Sequence, residues 1–378
     1  MPRRTIPLAL LLIACASPAQ NPVLQSPTPG STPGIVGAET VAEGLEHPWG
    51  LAFMPDGRML VTERPGRLRI VSMDGTISAP LSGVPTVLAR GQGGLLVVAV
   101  DPDFASNQMV YVTFSEPGEV ENTASTAVGR GRLTAAGIEG FTVLYRQVPK
   151  VQSFAHYGSR IVFAGDGTMW VTAGDRQNQR PLVQDLATGV GKIVRINRDG
   201  SIPADNPFRG QSGVVEQIWS YGHRNLQGAT AHPETGRLWT VEHGARGGDE
   251  LNHPEAGKNY GWPVITYGID YNGTRIGEGT HKEGMEQPVY YWDPVIAPSG
   301  MTFYTGNRYP GWNGSLLIGS LTPGALVRLE LNGDRVVKEE RYLGELGARI
   351  RDVVQGPDGY LYLLTDASNG KLLRVVPK

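Results

Sequence analysis

The chain has 378 residues, a formal net charge of −2 and 19% charged residues, so it carries no basic field that would hold nucleic acid. Hydrophobic residues make up 40%, which places it among folded globular proteins rather than disordered ones. The 51 glycines and 28 prolines are about a fifth of the chain, against roughly 12% in average usage, and that excess argues against helical bundles.

At the N-terminus, Arg3 and Arg4 precede an apolar run from Ile6 to Ala14, too short for a permanent bilayer span. It ends in Leu12-Ile13-Ala14-Cys15, and Cys15 is the single cysteine of the chain. Leu-Ile-Ala-Cys resembles the bacterial lipobox, which implies cleavage after Ala14 and acylation of the Cys15 thiol. An ordinary signal peptide with an incidental cysteine is the alternative. Residues 16–34 hold five prolines among Ser, Gln and Thr, the composition of a flexible tether. The residue after the cysteine is Ala16, not the aspartate that retains lipoproteins at the inner membrane, so the expected location is the periplasmic face of the outer membrane in a Gram-negative cell, or otherwise the cell surface as a lipoprotein. The expected organisation is a signal peptide over 1–14, a tether over 15–36 and one domain over 37–378.

Beyond the tether no stretch sustains a 3.6-residue apolar period of helix length. A turn followed by a short alternating strand recurs instead. It runs through Pro55-Asp56-Gly57 into Met59-Leu60-Val61-Thr62-Glu63, and through Asp103-Phe104 into Met109-Val110-Tyr111-Val112-Thr113. It returns at Gly165-Asp166-Gly167, Glu234-Thr235-Gly236, Trp312-Asn313-Gly314 and Pro357-Asp358-Gly359, each ahead of an apolar strand. Asp-Gly and Asn-Gly adopt the positive φ angles that tight hairpins need. Six copies at spacings of roughly 45 to 80 residues predict an all-β fold, a six-bladed β-propeller with four-stranded antiparallel blades. In that fold the blade loops converge on one axial mouth, where residues distant in sequence meet.

Polar residues gather beside these hairpins. Gly91-Gln92-Gly93-Gly94 sets an amide between glycines, and His156-Tyr157-Gly158-Ser159-Arg160 and Gly174-Asp175-Arg176 flank the third hairpin. A carboxylate orients an imidazole and stabilises its protonated form, which suits a general base. By spacing alone, His156 and Asp175 fit a structural hydrogen bond better than a catalytic one. Arg349 and Arg351 are two apart and share a strand face, which hints at an anionic ligand; surface salt bridges explain them equally well. The segment from Glu242 to Asn252, continued by Asn259-Tyr260-Gly261-Trp262-Pro263 and Gly268-Ile269-Asp270-Tyr271, offers the carboxylates and kinked backbone carbonyls that calcium prefers. No zinc-ligand spacing, P-loop, dinucleotide fingerprint or Gly-x-Ser-x-Gly elbow is present.

Taken together, Gly91-Gln92-Gly93-Gly94-Leu95, Gly174-Asp175-Arg176, Tyr221-Gly222-His223-Arg224-Asn225, Glu242-His243-Gly244, Asn259-Tyr260-Gly261-Trp262-Pro263 and Arg349-Ile350-Arg351-Asp352 resemble the soluble PQQ-dependent aldose sugar dehydrogenases, the glucose/sorbosone dehydrogenase family. The resemblance implies a six-bladed propeller with PQQ and Ca2+ as cofactors, oxidising an aldose at C1 to a lactone and passing electrons to an external acceptor. It implies that His156 is the general base, Asp175 its partner, and Arg224 the charge beside the reacting quinone oxygen. Gln92, Asn225, Tyr271, Arg349 and Arg351 are then further cofactor contacts. The carbonyls of Gly244 and Ala245 are expected on the calcium that polarises PQQ. Glu250, Tyr260 and Asp270 are expected at a second, structural calcium. Thr322, in Leu321-Thr322-Pro323-Gly324, stands where some members carry a lysine, so the expected cofactor pocket has one cation fewer.

Two other functions share parts of this pattern. A calcium-dependent lactonase or esterase propeller uses the carboxylates and the histidine but leaves Arg349 and Arg351 idle. A non-catalytic ligand-binding propeller keeps the scaffold alone.

Overall fold

The computed structural model describes residues 23–26 and 35–378. Cys15 and the cleavage site lie outside the described residues. Six sheets stand around one axis, as the repeat predicts. Among the described residues helix is confined to one turn at Phe104–Asn107 and two 3-10 turns, so none of them is long and apolar enough to cross a membrane.

Each blade begins with an inner strand: Pro48–Phe53, Leu95–Val100, Gly158–Phe163, Leu226–Ala231, Pro298–Phe303 and Ile350–Gln355. The recurrent turns of the sequence join these to the second strands, Met59–Glu63, Met109–Pro117, Thr168–Ala173, Leu238–Glu242, Leu316–Ser320 and Leu361–Thr365. Blade six is completed by the other end of the chain. Val36–Leu45 pairs antiparallel with Gly370–Pro377, from Val36 opposite Pro377 to Leu45 opposite Gly370.

Two details differ from expectation. Blade one has three regular strands, ending at Arg67–Val71. Its outer edge is met by an irregular segment that bonds through Ser78 N and Leu81 N, with Pro80 and Pro85 interrupting the ladder because proline has no N–H to donate. Within the segment expected to be a flexible tether, Leu24–Gln25 forms a short parallel strand against Tyr290 and Tyr291 at the edge of blade four. Ser26 secures it by donating to Glu339 over 2.7 Å.

The core is divided by blade boundary. One apolar cluster fills each of the six interfaces, such as Leu60, Leu95 and Val112 between blades one and two, and Leu51, Met59, Leu364 and Leu372 at the closing seam. Alternation makes this possible: each strand turns one apolar face to the blade before it and one to the blade after it. Each fully buried Leu, Val or Phe contributes about 1.5–3 kcal/mol, so the seams hold the ring together.

Every inner strand bulges against its neighbour near its first residues, which bends those ends and re-aims their side chains. The third residues of the inner strands are Gly50, Val97, Arg160, Gly228, Gly300 and Asp352. A Cβ on Gly300 would lie 2.0 Å from Asp352 Oδ1, so glycine leaves the room that the larger side chains occupy. Arg160 Nη1 donates to Asp352 Oδ1 over 2.7 Å and Arg160 Nε to the Gln227 carbonyl over 2.6 Å. Asp352 Oδ2 accepts from Leu51 N over 3.0 Å. Both ions are buried, so each depends on the other. Asp352→Ala is therefore expected to cost about 3–5 kcal/mol in urea unfolding, and Arg160→Met with Asp352→Leu far less. Equal losses in the two would place the cost in packing rather than in the orphaned charge.

Candidate active site

The bulged starts of the inner strands bring His156, Asp175, Arg224, Asn225, Gln92 and Arg351 to one end of the ring. His156 sits at φ +53°, with Gly158 at +66° and Arg176 at +56° nearby, a cluster of left-handed residues at one spot. The two strand ends approach closely because both Gly158 and Gly174 lack a Cβ; one on Gly174 would lie 2.2 Å from the His156 carbonyl. Arg176 holds the segment in place. Its guanidinium donates to the carbonyls of Ser153 and Ala155 and stacks 3.4 Å from the Tyr157 ring centroid. Gln92 adds a brace from blade two, its Oε1 accepting from His156 N over 2.8 Å.

His156 is 5% exposed and its Nδ1 lies 2.6 Å from Asp175 Oδ1. The other carboxylate oxygen accepts from Trp262 Nε1 over 2.8 Å, and Asp175 Oδ1 also accepts from Gln177 N. Burial lowers the His156 pKa and Asp175 opposes it, but with Arg224 and Arg176 close by the imidazole stays below its ordinary value. Burial tends to raise the Asp175 carboxyl; the hydrogen bond from His156, with the charge of Arg224 and the Gln177 N–H, holds it below its ordinary value. The pair is therefore a carboxylate accepting from a neutral imidazole through Nδ1–H. That tautomer leaves the Nε2 lone pair free to take a proton.

Arg224 packs 5.2 Å from the Trp262 ring and donates to the carbonyls of His243, over 3.0 Å, and Gly244. Its backbone N–H is held by Glu242 Oε2 over 2.6 Å, while its Nε is buried without a partner. Tyr271, 63% exposed, leans its hydroxyl to 3.4 Å from Arg224 Nη2. Asn225 Oδ1 accepts from Gly158 N over 3.3 Å, and the Asn225 carbonyl accepts from His243 N over 3.0 Å. His243 Nε2 lies 2.7 Å from the Pro298 carbonyl, which only accepts, so Nε2 carries the hydrogen. Burial and Arg224 push the His243 pKa down to about 3.

A second group of charges is built from the two blades that flank the closing seam. Asp366, just after Leu361–Thr365, meets Arg351 Nη2 at 2.5 Å, Arg349 Nε at 3.9 Å, Arg64 Nη1 at 4.0 Å and His47 Nδ1 at 3.0 Å. Burial acts to raise the Asp366 carboxyl, but Arg351, His47 and Arg64 hold it far below the usual carboxylate range. Arg351 also donates to Gln227 over 2.6 Å, while its Nε is buried without an acceptor. Arg349 reaches the Leu321 carbonyl over 3.2 Å, which sets exposed Thr322 next to this group.

The residues expected on calcium divide into two places. Gly244, expected on the first calcium, and Glu250 and Tyr260, expected on the second, line one small cavity of about 10 Å³ together with Glu242, room for a single water or ion. Glu242 is fully engaged by His223, Arg224 and Asn252, whereas Glu250 receives Asn252 Nδ2 at 3.3 Å. Burial and the Glu242 carboxylate push the Glu250 pKa well above its ordinary value. The Asn252 Oδ1 is buried without a donor. Ala245 lies on the adjoining turn, bridged to Gly247. Asp270 is held elsewhere: it pairs with Arg180 over 2.8 Å and does not line the cavity. No three Asp, Glu, His or Cys side chains form a metal-ligand group among the described residues, so backbone and amide oxygens must complete any cation shell.

Sequence reasoning left Trp262, Arg176, Glu242, Arg64, His47 and Asp366 without roles. Trp262 and Glu242 lie inside motifs it singled out, and Arg176 directly follows Asp175. Arg64, His47 and Asp366 are single residues in turns of two blades, and only the closed ring brings them together.

The neutral imidazoles carry a stability consequence. His156 and His243 have folded pKa values below the ordinary 6.5. Unfolding below pH 6.5 then takes up protons, so their contribution, full above that pH, is lost as the pH falls; each proton adds a slope of about 1.4 kcal/mol per pH unit. His243→Gln should flatten the decline in urea-unfolding free energy between about pH 6.5 and pH 4.5. An unchanged slope would mean that His243 titrates alike folded and unfolded.

Comparison with known proteins places this geometry. The family described as Glucose / Sorbosone dehydrogenase matches residues 45–374. The aldose sugar dehydrogenase YliI of Escherichia coli K12 is 48% identical over 353 residues, covering 92% of this chain and 95% of that protein. Quinoprotein glucose dehydrogenase B of Acinetobacter calcoaceticus is 28% identical over 412 residues, covering 87% and 85%. The PQQ-bound structure of the aldose sugar dehydrogenase from Streptomyces coelicolor superposes with a TM-score of 0.74 at 30% identity, covering 92% of this chain and all of that one. With its six blades and its buried His156–Asp175 pair, the chain belongs to the glucose/sorbosone dehydrogenase family.

Proposed function

We propose that this protein oxidises aldose sugars at C1 to lactones, using PQQ and calcium, and passes the electrons to an external acceptor. The observation that carries the reading is the buried His156–Asp175 pair, 2.6 Å apart, with Nε2 left free at the end of the ring where Arg224 lies. The site also suits the cofactor. PQQ is an anionic quinone with three carboxylates, and Arg224 Nε and Arg351 Nε are buried donors without acceptors. Three guanidiniums around Asp366 add more positive charge than that one carboxylate cancels.

When bound, PQQ supplies an electrophilic quinone that accepts hydride. His156 Nε2 takes the proton of the C1 hydroxyl as C1 gives up hydride, leaving the lactone carbonyl. Asp175 fixes the imidazole tautomer and balances its charge while it is protonated. Arg224, buried and lacking a carboxylate partner for its guanidinium, stabilises negative charge developing opposite the sugar. Arg176 and Gln92 keep His156 from turning away.

A hard divalent cation fits the cavity beside Arg224. Glu250 and the carbonyl of Gly244 line it and are oxygen donors of the kind calcium takes, the carbonyl once it gives up its bond from Arg224. Asp270, paired with Arg180, would have to exchange that partner to join them. For location, the Leu12-Ile13-Ala14-Cys15 motif supports export and a lipid anchor at Cys15, with the propeller on the periplasmic face of the outer membrane.

Reconstitution with PQQ and calcium, followed by dye reduction with a panel of aldoses, tests the reading. The wild type should reduce dye with a sugar, and His156→Ala should lose about 10²–10⁴ of that rate; full activity in the variant would remove His156 from the mechanism. The acid limb of kcat/KM should lie below pH 6.5, because the base must be neutral and its pKa is lowered. Asp175→Asn should move that limb further down, since Asp175 raises the His156 pKa. Calcium should raise the melting temperature of the wild type, and Glu250→Gln should abolish most of that rise; an equal rise in both would place calcium elsewhere.

A further inference from the structure

We propose that Arg64 is a carboxylate-binding residue of the cofactor pocket, supplying from blade one the cation that Thr322 does not provide. The inference rests on the PQQ reading above and names a contact that reading does not contain. Arg64 follows Met59–Glu63, and its backbone is tied into the rim: its N–H donates to the His47 carbonyl and its carbonyl accepts from Leu95 N, both over 3.1 Å. The second bond holds it under the Gln92 loop. Gly94, at φ +152°, must be glycine there, since a Cβ would stand 1.9 Å from the Arg64 carbonyl.

From that anchor the guanidinium extends to the group around Asp366. Its nearest counter-charge is Asp366 at 4.0 Å, and it makes no side-chain hydrogen bond among the described residues. An arginine offers five N–H donors, so Arg64 is held by its backbone and leaves its polar end unspent. It is three-quarters covered, with its side chain 22% exposed, so its donors face limited solvent. Arg349 and Arg351 share Asp366 with it, and no other carboxylate lies within 4.0 Å of any of the three among the described residues. Asp352 does not relieve the excess, because Arg160 already takes it at 2.7 Å. The group therefore carries a surplus of two positive charges, and the like charges of Arg349 and Arg351 depress the Arg64 pKa along with its burial. A structural salt-bridge cluster has no use for that surplus. A polycarboxylate ligand neutralises it and relieves the repulsion.

The position also resolves the departure at Thr322. The Leu321 carbonyl beside Thr322 is bound by Arg349, so the place of the missing lysine and the Arg64 guanidinium border the same arginine pair. Two cations from different blades are thus interchangeable in charge at one pocket.

Calorimetric titration of the apo protein with PQQ tests this directly. Arg64→Gln should raise Kd about 10- to 100-fold, the loss expected of one charge-assisted contact. Arg64→Lys should keep most of the affinity, and adding Thr322→Lys to Arg64→Gln should recover part of it. The ligand-free melting temperature of Arg64→Gln should stay level or rise, because removing a like charge relieves repulsion; this separates lost binding from lost folding. A Kd within twofold of wild type in Arg64→Gln would overturn the proposal. Failure of the wild type to bind PQQ would instead overturn the cofactor reading. Citrate, a tricarboxylate without a quinone, then decides on Arg64: a citrate-induced rise in melting temperature that Arg64→Gln loses keeps the anion site, and no rise in the wild type removes it.

Discussion

The pairing of Val36–Leu45 with Gly370–Pro377 is the interaction on which the rest of the molecule depends. A propeller has no single core; it has six seams between blades, and the chain passes across each of them in turn. Closure falls inside blade six, where a strand from one end of the chain completes a sheet from the other, and that ladder fixes the angle at which the other blades stand. That angle decides where six bulged inner strands begin, and those six beginnings are the site. Site geometry is therefore a property of the closed ring, although each side chain is placed by its own blade.

The axis shows how the ring tolerates charge. Asp352 occupies space left by Gly300, and the Arg160–Asp352 pair consumes nearly all its polar atoms on itself and on neighbouring backbone. Above it the pattern changes. Arg224 and Arg351 each keep one buried donor unpaired, and Arg64 keeps its whole polar end. Buried donors without acceptors cost free energy, and a ligand that accepts from them would recover it. The same contrast separates Glu242, saturated by three donors, from Glu250, which has one.

How much of this was legible in the sequence follows from the range of each interaction. The hairpin turns are local, and Asp-Gly, Asn-Gly and Thr-Gly beside apolar strands, with the Asp103-Phe104 turn for blade two, were sufficient to count the blades. Blade one lost its regular fourth strand to prolines that the same sequence displays. His156 and Asp175 were legible as a pair because both flank one hairpin, and the motif resemblance supplied their role. Arg349 and Arg351 were legible as neighbours, but the carboxylate that gathers them was not, since Asp366 lies on a different turn. Arg64 and His47 carry no motif and acquire meaning from contacts across blades. Asp270 is a different case: its motif suggested a place beside Glu250, and in this structure it pairs with Arg180, a contact the motif does not show. Likewise Leu24–Gln25 reads as tether by composition, yet the open edge of blade four captures it as a strand.

The location of the cation group has a consequence for the ring itself. Arg349, Arg351 and Asp366 belong to blade six, His47 lies just after the N-terminal strand that completes it, and Arg64 belongs to blade one. On the proposed reading the anion pocket would straddle the interface between blade one and blade six, the blade whose strands come from both ends of the chain. A ligand bound by arginines on both sides adds an attachment between those blades and removes a repulsion that works to part them. By linkage, whatever binds the closed ring more tightly than the open chain stabilises closure in proportion to its own occupancy. On the proposed reading, cofactor binding and ring closure would be coupled through the same three guanidiniums, because the surplus charge that a polycarboxylate would neutralise sits across that blade interface.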